Sequence, residues 1–310
     1  MSAAKLLFAG TPEFAVASLR ALHKAGFVPA AVLTQPDRPA GRGRQVTESP
    51  VKQFAVKHDV PVWQPETLKD ADIVAQISQA KPYLIIAAAY GLLLPQAVLD
   101  IPVRGCVNVH ASLLPLWRGA APIQAAILAG DAETGITLMQ MEAVLDSGPV
   151  LASAAIEIGA EETAGALHDR LAALGGELLV QKIDELLEGK LESIPQDKAL
   201  ASYARKIRRQ DAAIDWSLTG QQISRAIRAY DPAPGASFNL DGEIIKCWQA
   251  EPVDGDGGPP GTILSAGKGG IVVACAGGAL RLMEIQRPGR RRVTAAEFAG
   301  QRKLNDKRLH

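Results

Sequence analysis

Cysteine is scarce in this 310-residue sequence; Cys106, Cys247 and Cys275 lie far apart and form no Cys-x-x-Cys pair. That spacing argues against a disulfide framework or a zinc site and fits a reducing cytoplasm. No apolar run reaches the ~20 residues that a membrane helix needs, so no membrane partner is expected. The start Met1-Ser2-Ala3-Ala4-Lys5 passes directly into a strand pattern instead of the apolar core of a signal peptide. Net charge is lacking too, since 33 Lys+Arg balance 33 Asp+Glu. From Arg208 onward, however, fifteen basic side chains stand against eleven acidic ones, a net +4 that leaves −4 for residues 1–207. An excess of this size suits a polyanion, and a solvated surface equally. The remaining composition, 47% apolar and 21% charged, is that of an ordinary soluble enzyme long enough for two domains.

Against this plain background, Cys106-Val107-Asn108-Val109-His110 is informative. Residues two apart on an extended strand share a face, so Asn108 and His110 point one way while the valines anchor the other. An amide donor and a titratable imidazole aimed together are useful parts for acyl transfer. A strand end whose polar groups merely reach solvent gives the same pattern.

Regular elements alternate on both sides of this strand. Leu6-Leu7-Phe8-Ala9 suits a buried parallel strand ending at Gly10, and Thr11-Pro12-Glu13 suits an N-cap, a first-turn proline and an early acid. The helix ends at Gly26, and Ala30–Leu33 is the next strand. Only one of the three glycines of the dinucleotide fingerprint is present in Ala9–Phe14, which argues against NAD or FAD. The pattern continues with Val60–Trp63, a helix from about Asp72 to Lys81, the apolar run Tyr83–Ala89, and the strand Thr137–Met141. A helix from about Thr163 to Leu187 completes an α/β domain over residues 1–189. Residues 190–207, weakly periodic and containing Pro195, read as a linker. Residues 208–310 begin with a helix that Ser217 could cap. About five short strands divided by Gly, Asp and Pro follow, as in a small β-barrel of the oligonucleotide-binding type.

Thr34-Gln35-Pro36-Asp37-Arg38-Pro39-Ala40-Gly41-Arg42-Gly43-Arg44 is too rich in proline and glycine for regular structure. Its three arginines, Arg38, Arg42 and Arg44, are suited to phosphate recognition, although taken alone the stretch reads first as a merely solvated loop. Leu145-Asp146-Ser147-Gly148-Pro149 forms a second polar loop just past a strand.

Three separated segments then fit one family. Asn108-x-His110-x-Ser112-Leu113-Leu114-Pro115, the Leu145-Asp146-Ser147-Gly148 loop and the arginine loop resemble the methionyl-tRNA formyltransferases. These form a branch of the 10-formyltetrahydrofolate-dependent formyltransferases. Phe8–Pro12, Ala89-Tyr90-Gly91, Trp117–Gln124 and Ile214-Asp215-Trp216 are similar as well, so the resemblance runs from residue 5 to about residue 300. It implies a Rossmann-like formyltransferase domain followed by an OB-like β-barrel that contacts tRNA. It also implies transfer of the formyl group of 10-formyltetrahydrofolate to the α-amino nitrogen of methionyl initiator tRNA. Asn108, His110 and Asp146 would form the catalytic centre. Ser112, Leu113, Leu114 and Pro115 would join the folate site with Tyr90 lining the pterin pocket, and Arg38, Arg42 and Arg44 would meet the tRNA. No metal would be required, and the enzyme would act as a cytoplasmic monomer. Ala111 and Leu116 depart from the family pattern, which usually has glycine and often a basic residue at these places.

The chemistry agrees with the residues read on their own. Attack of an amine on a formyl carbon builds negative charge on oxygen, and Asn108 or a protonated His110 can donate to it. Asp146 can pair with His110 or take the amine proton through water. An α-amino group with a pKa of roughly 8 needs little activation. His23, His58, His168 and His310, and the tryptophans other than Trp117, read as packing or solvated residues. Arg290-Arg291-Arg292 fits an RNA contact and a solvated turn equally. Two rival readings stay open. One is a formyltransferase for another amine, such as a nucleotide sugar or glycinamide ribonucleotide; the other is a non-catalytic RNA-binding protein.

Overall fold

The structure, a computed structural model, describes residues 5–40, 45–255, 258–300, 304 and 307–310. It divides into two compact units. The first takes in the described residues of Met1–Pro122, Glu133–Glu157 and His168–Ala204, and the second those of Ile123–Ala132, Ile158–Leu167 and Arg205–His310. Along the chain run β1 (Leu6–Gly10), α1 (Glu13–Lys24), β2 (Ala31–Leu33), β3 (Arg38–Ala40), β4 (Gln45–Thr47), α2 (Pro50–Lys57), β5 (Val62–Trp63) and α3 (Ala71–Ala80). Next come β6 (Leu84–Ala88), α4 (Gln96–Leu99), β7 (Cys106–His110), β8 (Arg118–Gly119), α5 (Pro122–Ala129), β9 (Glu133–Gln140), β10 (Val150–Glu157), α6 (Ala164–Glu188) and β11 (Tyr203–Ala204).

The first unit is built on a seven-stranded sheet in the order β10-β9-β7-β6-β1-β2-β5. Strands β5, β2, β1, β6 and β7 are parallel, and β9 and β10 run antiparallel at one side. β1 and β6 are buried at every position, as expected of parallel strands covered on both faces. Burying a side chain such as Phe8, Leu84 or Ile86 contributes about 1.5–3 kcal/mol. The chain leaves β1 for β2 on one side and later lays β6 on the other, so a topological switch point lies between β1 and β6. Ligands of open α/β sheets bind beyond the carboxyl ends of the strands at such a point. Tyr90 follows β6 there, and Asn108 and His110 occupy the carboxyl half of β7, the next strand.

Several local features differ from the sequence expectation. Thr11 does not cap α1: Pro12 occupies the N-cap position, and the Thr11 hydroxyl instead donates to the Tyr90 carbonyl at 2.9 Å across the switch point. The proline-rich arginine loop is not wholly irregular, since β3 and β4 form a small hairpin pairing Arg38 with Thr47 and Pro39 with Val46. A two-stranded hairpin has only edges, where proline is tolerated. β10 had no strand signal, because Val150–Glu157 has three alanines among its eight residues and few of the residues that mark strands. Residues 190–207, expected as a linker, bond to the first unit: Ile194 exchanges two backbone hydrogen bonds with Val150, and β11 pairs in parallel with β8.

The second unit adds α7 (Gly220–Ala229), β12 (Ser237–Leu240), β13 (Glu243–Val253), β14 (Ile263–Gly267), β15 (Gly270–Cys275), β16 (Gly278–Gln286), β17 (Arg292–Thr294) and α8 (Ala295–Ala299). The expected barrel strands form an antiparallel sheet ordered β12-β13-β16-β15-β14, with β17 on β16. The sheet is a curled half-barrel whose core contains Phe238, Ile245, Leu280 and Leu282, packed with Ile223, Ile227 and Phe298 of the helices. The cap of α7 is Thr219, which makes a reciprocal capping box with Gln222; Ser217 bonds to Asp215 instead. Arg291 pairs with Glu297, while Arg292 pairs with Asp231 and Glu284 and stacks 3.8 Å from the Trp248 ring. Two of the three clustered arginines are thus engaged in structural contacts.

Candidate active site

β7 brings Asn108 and His110 to one face of the sheet, as the alternation requires. His110 is 5% exposed. Its Nε2 lies 3.1 Å from the Trp117 carbonyl; a carbonyl only accepts, so this nitrogen carries a hydrogen. Nδ1 faces Asp146 Oδ2 at 3.8 Å, close enough for ion pairing when the ring is charged and longer than a hydrogen bond. The Asn108 amide is half-buried and has no hydrogen-bond partner among the described residues. A bound oxygen can therefore be met by an uncommitted donor.

Asp146 is buried at 9% exposure and lies in the left-handed region at φ 51°, which Asp tolerates better than most residues. Its Oδ2 accepts the Gly119 backbone N–H at 2.8 Å. Gly119 itself has φ 120°, and a side chain there would lie 2.5 Å from the Ala204 carbonyl oxygen. Gly148, two residues past Asp146, has another reason to be glycine: a Cβ would sit 2.0 Å from the Gln140 carbonyl oxygen. The Asp-x-Gly pattern thus seats the carboxylate on a loop pressed against the end of β9.

The segment after β7 turns under the control of Thr137 on β9. The Thr137 hydroxyl donates to the Ser112 carbonyl at 2.6 Å and accepts the Leu114 N–H at 3.1 Å. Ser112 is fully buried and its hydroxyl donates to the Leu116 carbonyl at 2.6 Å. Its side chain is committed to closing this turn, while Leu113, Leu114 and Pro115 are half-buried. Thr137 gave no sequence signal, because a threonine inside a strand is ordinary.

Tyr90 is 4% exposed and packs in a cluster with Leu94, Val98, Leu99 and Cys106, against which Met141 rests. Burial raises its hydroxyl pKa well above the usual range, and the hydroxyl has no hydrogen-bond partner among the described residues. A recess of about 430 Å³ is lined by Gln96, Leu99, Asp100 and residues 140–144. The loop that carries Asp146 therefore forms part of its wall. Leu93, Val144 and Leu145 are exposed apolar side chains on the loops after β6 and β9. Arg38 is exposed in β3 and makes no ion pair among the described residues. Its neighbour Asp37 is fixed by Lys52 at 2.5 Å and Gln64 at 2.7 Å, and these two bonds hold its carboxyl below the ordinary value. Arg42 and Arg44 lie outside the described residues. No group of three or more His, Cys, Asp or Glu among the described residues is placed to hold a metal ion.

The formyl transferase family matches residues 4–183, and the formyl transferase C-terminal domain matches residues 206–303. The chain is 51% identical over 315 residues to the methionyl-tRNA formyltransferase of Janthinobacterium sp. (strain Marseille), with 98% of this chain and 99% of that one covered. It is 53% identical over 294 residues to that of Aromatoleum aromaticum, with 95% and 93% covered. Among solved structures, HypX from Aquifex aeolicus in complex with tetrahydrofolic acid aligns with 98% of this chain at a TM-score of 0.62 and 17% identity. This chain spans 48% of HypX. WlaRD, a sugar 3N-formyl transferase, aligns over 93% of this chain and 98% of its own at a TM-score of 0.66 and 16% identity. Identities this low show a shared fold alone. The chain belongs to the formyl transferases and, within that family, to the methionyl-tRNA formyltransferases.

Proposed function

We propose that this chain transfers the formyl group of 10-formyltetrahydrofolate to the α-amino group of methionyl initiator tRNA, with Asn108, His110 and Asp146 as its catalytic residues. The observation that carries the reading is identity of about half over nearly the full length of both chains with proteins named for that activity. The site chemistry supports it. The uncommitted amide of Asn108 suits an oxygen that gains negative charge as the amine attacks the formyl carbon, and such a donor contributes about 10²–10³ in rate. As the intermediate collapses, the bond from the formyl carbon to the folate nitrogen breaks. The proton lost by the amine replaces it on the released tetrahydrofolate. Asp146, buried beside His110, can relay that proton through water or hold the imidazole ready to donate.

The formyl donor is a substrate, and the residues here suit it. The buried hydroxyl of Tyr90, without a partner among the described residues, and the recess lined by Leu99 and residues 140–144 favour a flat, hydrogen-bonding ring system. Leu113, Leu114 and Pro115 supply an apolar rim. Arg38, Arg42 and Arg44 extend the reading to the tRNA phosphates. The enzyme acts as a monomer in the cytoplasm; three buried, unpaired cysteines support a reducing compartment.

The deciding experiment is transfer of labelled formyl from 10-formyltetrahydrofolate, with charged initiator tRNA and an amino-sugar nucleotide as competing acceptors. Labelled methionyl-tRNA is the expected product. Labelling of the sugar alone, or of neither acceptor, would overturn the reading.

A further inference from the structure

Residues 194–204 carry no chemistry in the mechanism above, yet they bond repeatedly to the two loops that carry it. Ser202 accepts the Trp117 N–H on its hydroxyl at 2.9 Å and the Arg118 N–H on its carbonyl at 2.9 Å. The Ala204 carbonyl accepts the Ala120 N–H at 2.9 Å. Gln196 reaches the other loop. Its Nε2 donates to the Asp146 carbonyl at 2.9 Å and to the Gly148 carbonyl at 2.6 Å. Its Oε1 accepts from Arg118 Nε at 3.0 Å and Nη2 at 2.7 Å.

The Arg118 contact fixes which way this amide faces. A guanidinium only donates, so the amide oxygen must face it, and the two N–H bonds are left for the carbonyls on either side of Ser147. Arg118 is 5% exposed and has no carboxylate within ion-pair distance among the described residues. A buried cation answered by a neutral amide is a poor route to stability, since an apolar side chain of similar volume costs less to bury. The arrangement is better explained by what it holds. Asp146 sits in a left-handed conformation, and rotation of its loop would carry the carboxylate away from His110.

We propose that Gln196, oriented by Arg118, is a positioning residue for formyl transfer that sets the Asp146 carboxylate against His110. The proposal rests on Asp146 belonging to the catalytic centre. Gln196→Glu isolates the effect. The new carboxylate keeps one oxygen for Arg118, but its other oxygen takes the place of Nε2, has no N–H for the Asp146 and Gly148 carbonyls, and sets oxygen against oxygen there.

The test uses the full chain, with melting temperature, kcat and both KM values measured for Gln196→Glu, Gln196→Ala, Asp146→Asn and Gln196→Glu combined with Asp146→Asn. Folded Gln196→Glu is expected to lose about 10- to 100-fold in kcat while each KM stays within about three-fold. In the Asp146→Asn background the same change is expected to cost less than about two-fold, because groups acting through one another are not additive. A purely structural defect would multiply through both backgrounds. Near-normal kcat in Gln196→Glu beside an inactive Asp146→Asn would overturn the role of Gln196 alone, as would an equal further loss in the double variant. Near-normal activity of Asp146→Asn would overturn the assignment of Asp146 beneath it. Should Gln196→Glu fail to fold, Gln196→Ala with and without Asp146→Asn gives the same comparison.

Discussion

Asp146 accepts the backbone N–H of Gly119 on the same carboxylate oxygen that faces His110 Nδ1, at 2.8 and 3.8 Å respectively. One oxygen is thus held in place while it is presented to the imidazole. Asp146→Asn replaces a charged acceptor with a neutral amide of nearly the same shape. We expect formylation to fall by about 10²–10³ or more, with the circular dichroism spectrum unchanged. His110→Ala is expected to lose a similar factor. Turnover near the parent value in either folded variant would remove that residue from the catalytic centre.

Gly148→Ala tests the seating of the same loop. A Cβ 2.0 Å from the Gln140 carbonyl oxygen cannot be accommodated without moving backbone. The expected loss is about 2 kcal/mol or more of unfolding free energy, measured by urea denaturation. Because the strain falls two residues from Asp146, kcat should drop even where the protein remains folded. A variant with unchanged stability would show that the loop relaxes freely.

The strand that carries Asn108 and His110 was legible because its pattern is local: two polar residues alternating with valine fix a common face whatever surrounds them. Asp146 was legible only through its resemblance to a family motif, since nothing in a five-residue loop announces a partner on a distant strand. The parallel sheet followed from its unbroken apolar runs. Gln196 was out of reach, because a glutamine beside Pro195 in an aperiodic stretch looks like linker, and its bonds to Arg118 and Gly148 exist only after folding. Thr11 misled for a related reason. Its position before Pro12 and Glu13 satisfies the rules for a helix cap, but a tertiary acceptor, the Tyr90 carbonyl, takes the hydroxyl instead.

The cysteines give a prediction with a definite sign. Burial pushes the thiols of Cys106 and Cys247 up to about 12 and raises that of Cys275, so the folded chain holds them protonated where the unfolded chain does not. Their contribution to stability is complete below about pH 9, the value for an unperturbed thiol. For Cys106 and Cys247 it is lost as pH rises from there toward 12. At pH 8 a thiol reagent should label none of the three until denaturant is added. Rapid labelling of the native protein would show that one of these side chains is accessible.

Arg38→Ala separates acceptor binding from donor binding. The side chain is exposed and unpaired among the described residues, so the melting temperature should not change. If it meets a phosphate, KM for tRNA rises while KM for 10-formyltetrahydrofolate stays constant. The dependence of tRNA affinity on the logarithm of salt concentration should also flatten by roughly one contact's worth, about 0.7–0.9 in slope. Arg42→Ala is expected to behave alike. An unaltered salt slope in both variants would remove the loop from the tRNA interface.

Tyr90→Phe removes a hydroxyl that is buried without a partner among the described residues. Such a group carries its desolvation cost in the free protein, so deleting it should leave stability unchanged or raise it by up to about 1 kcal/mol. The opposite effect is expected on the donor. If the hydroxyl finds its partner on the folate, the variant loses a hydrogen bond only in the complex, and KM for 10-formyltetrahydrofolate should rise by about 3- to 10-fold. The KM for methionyl-tRNA should stay constant. A lower melting temperature with unchanged KM would mean that the hydroxyl bonds within the protein, and Tyr90 would then serve only to pack the cluster with Leu94, Val98 and Leu99.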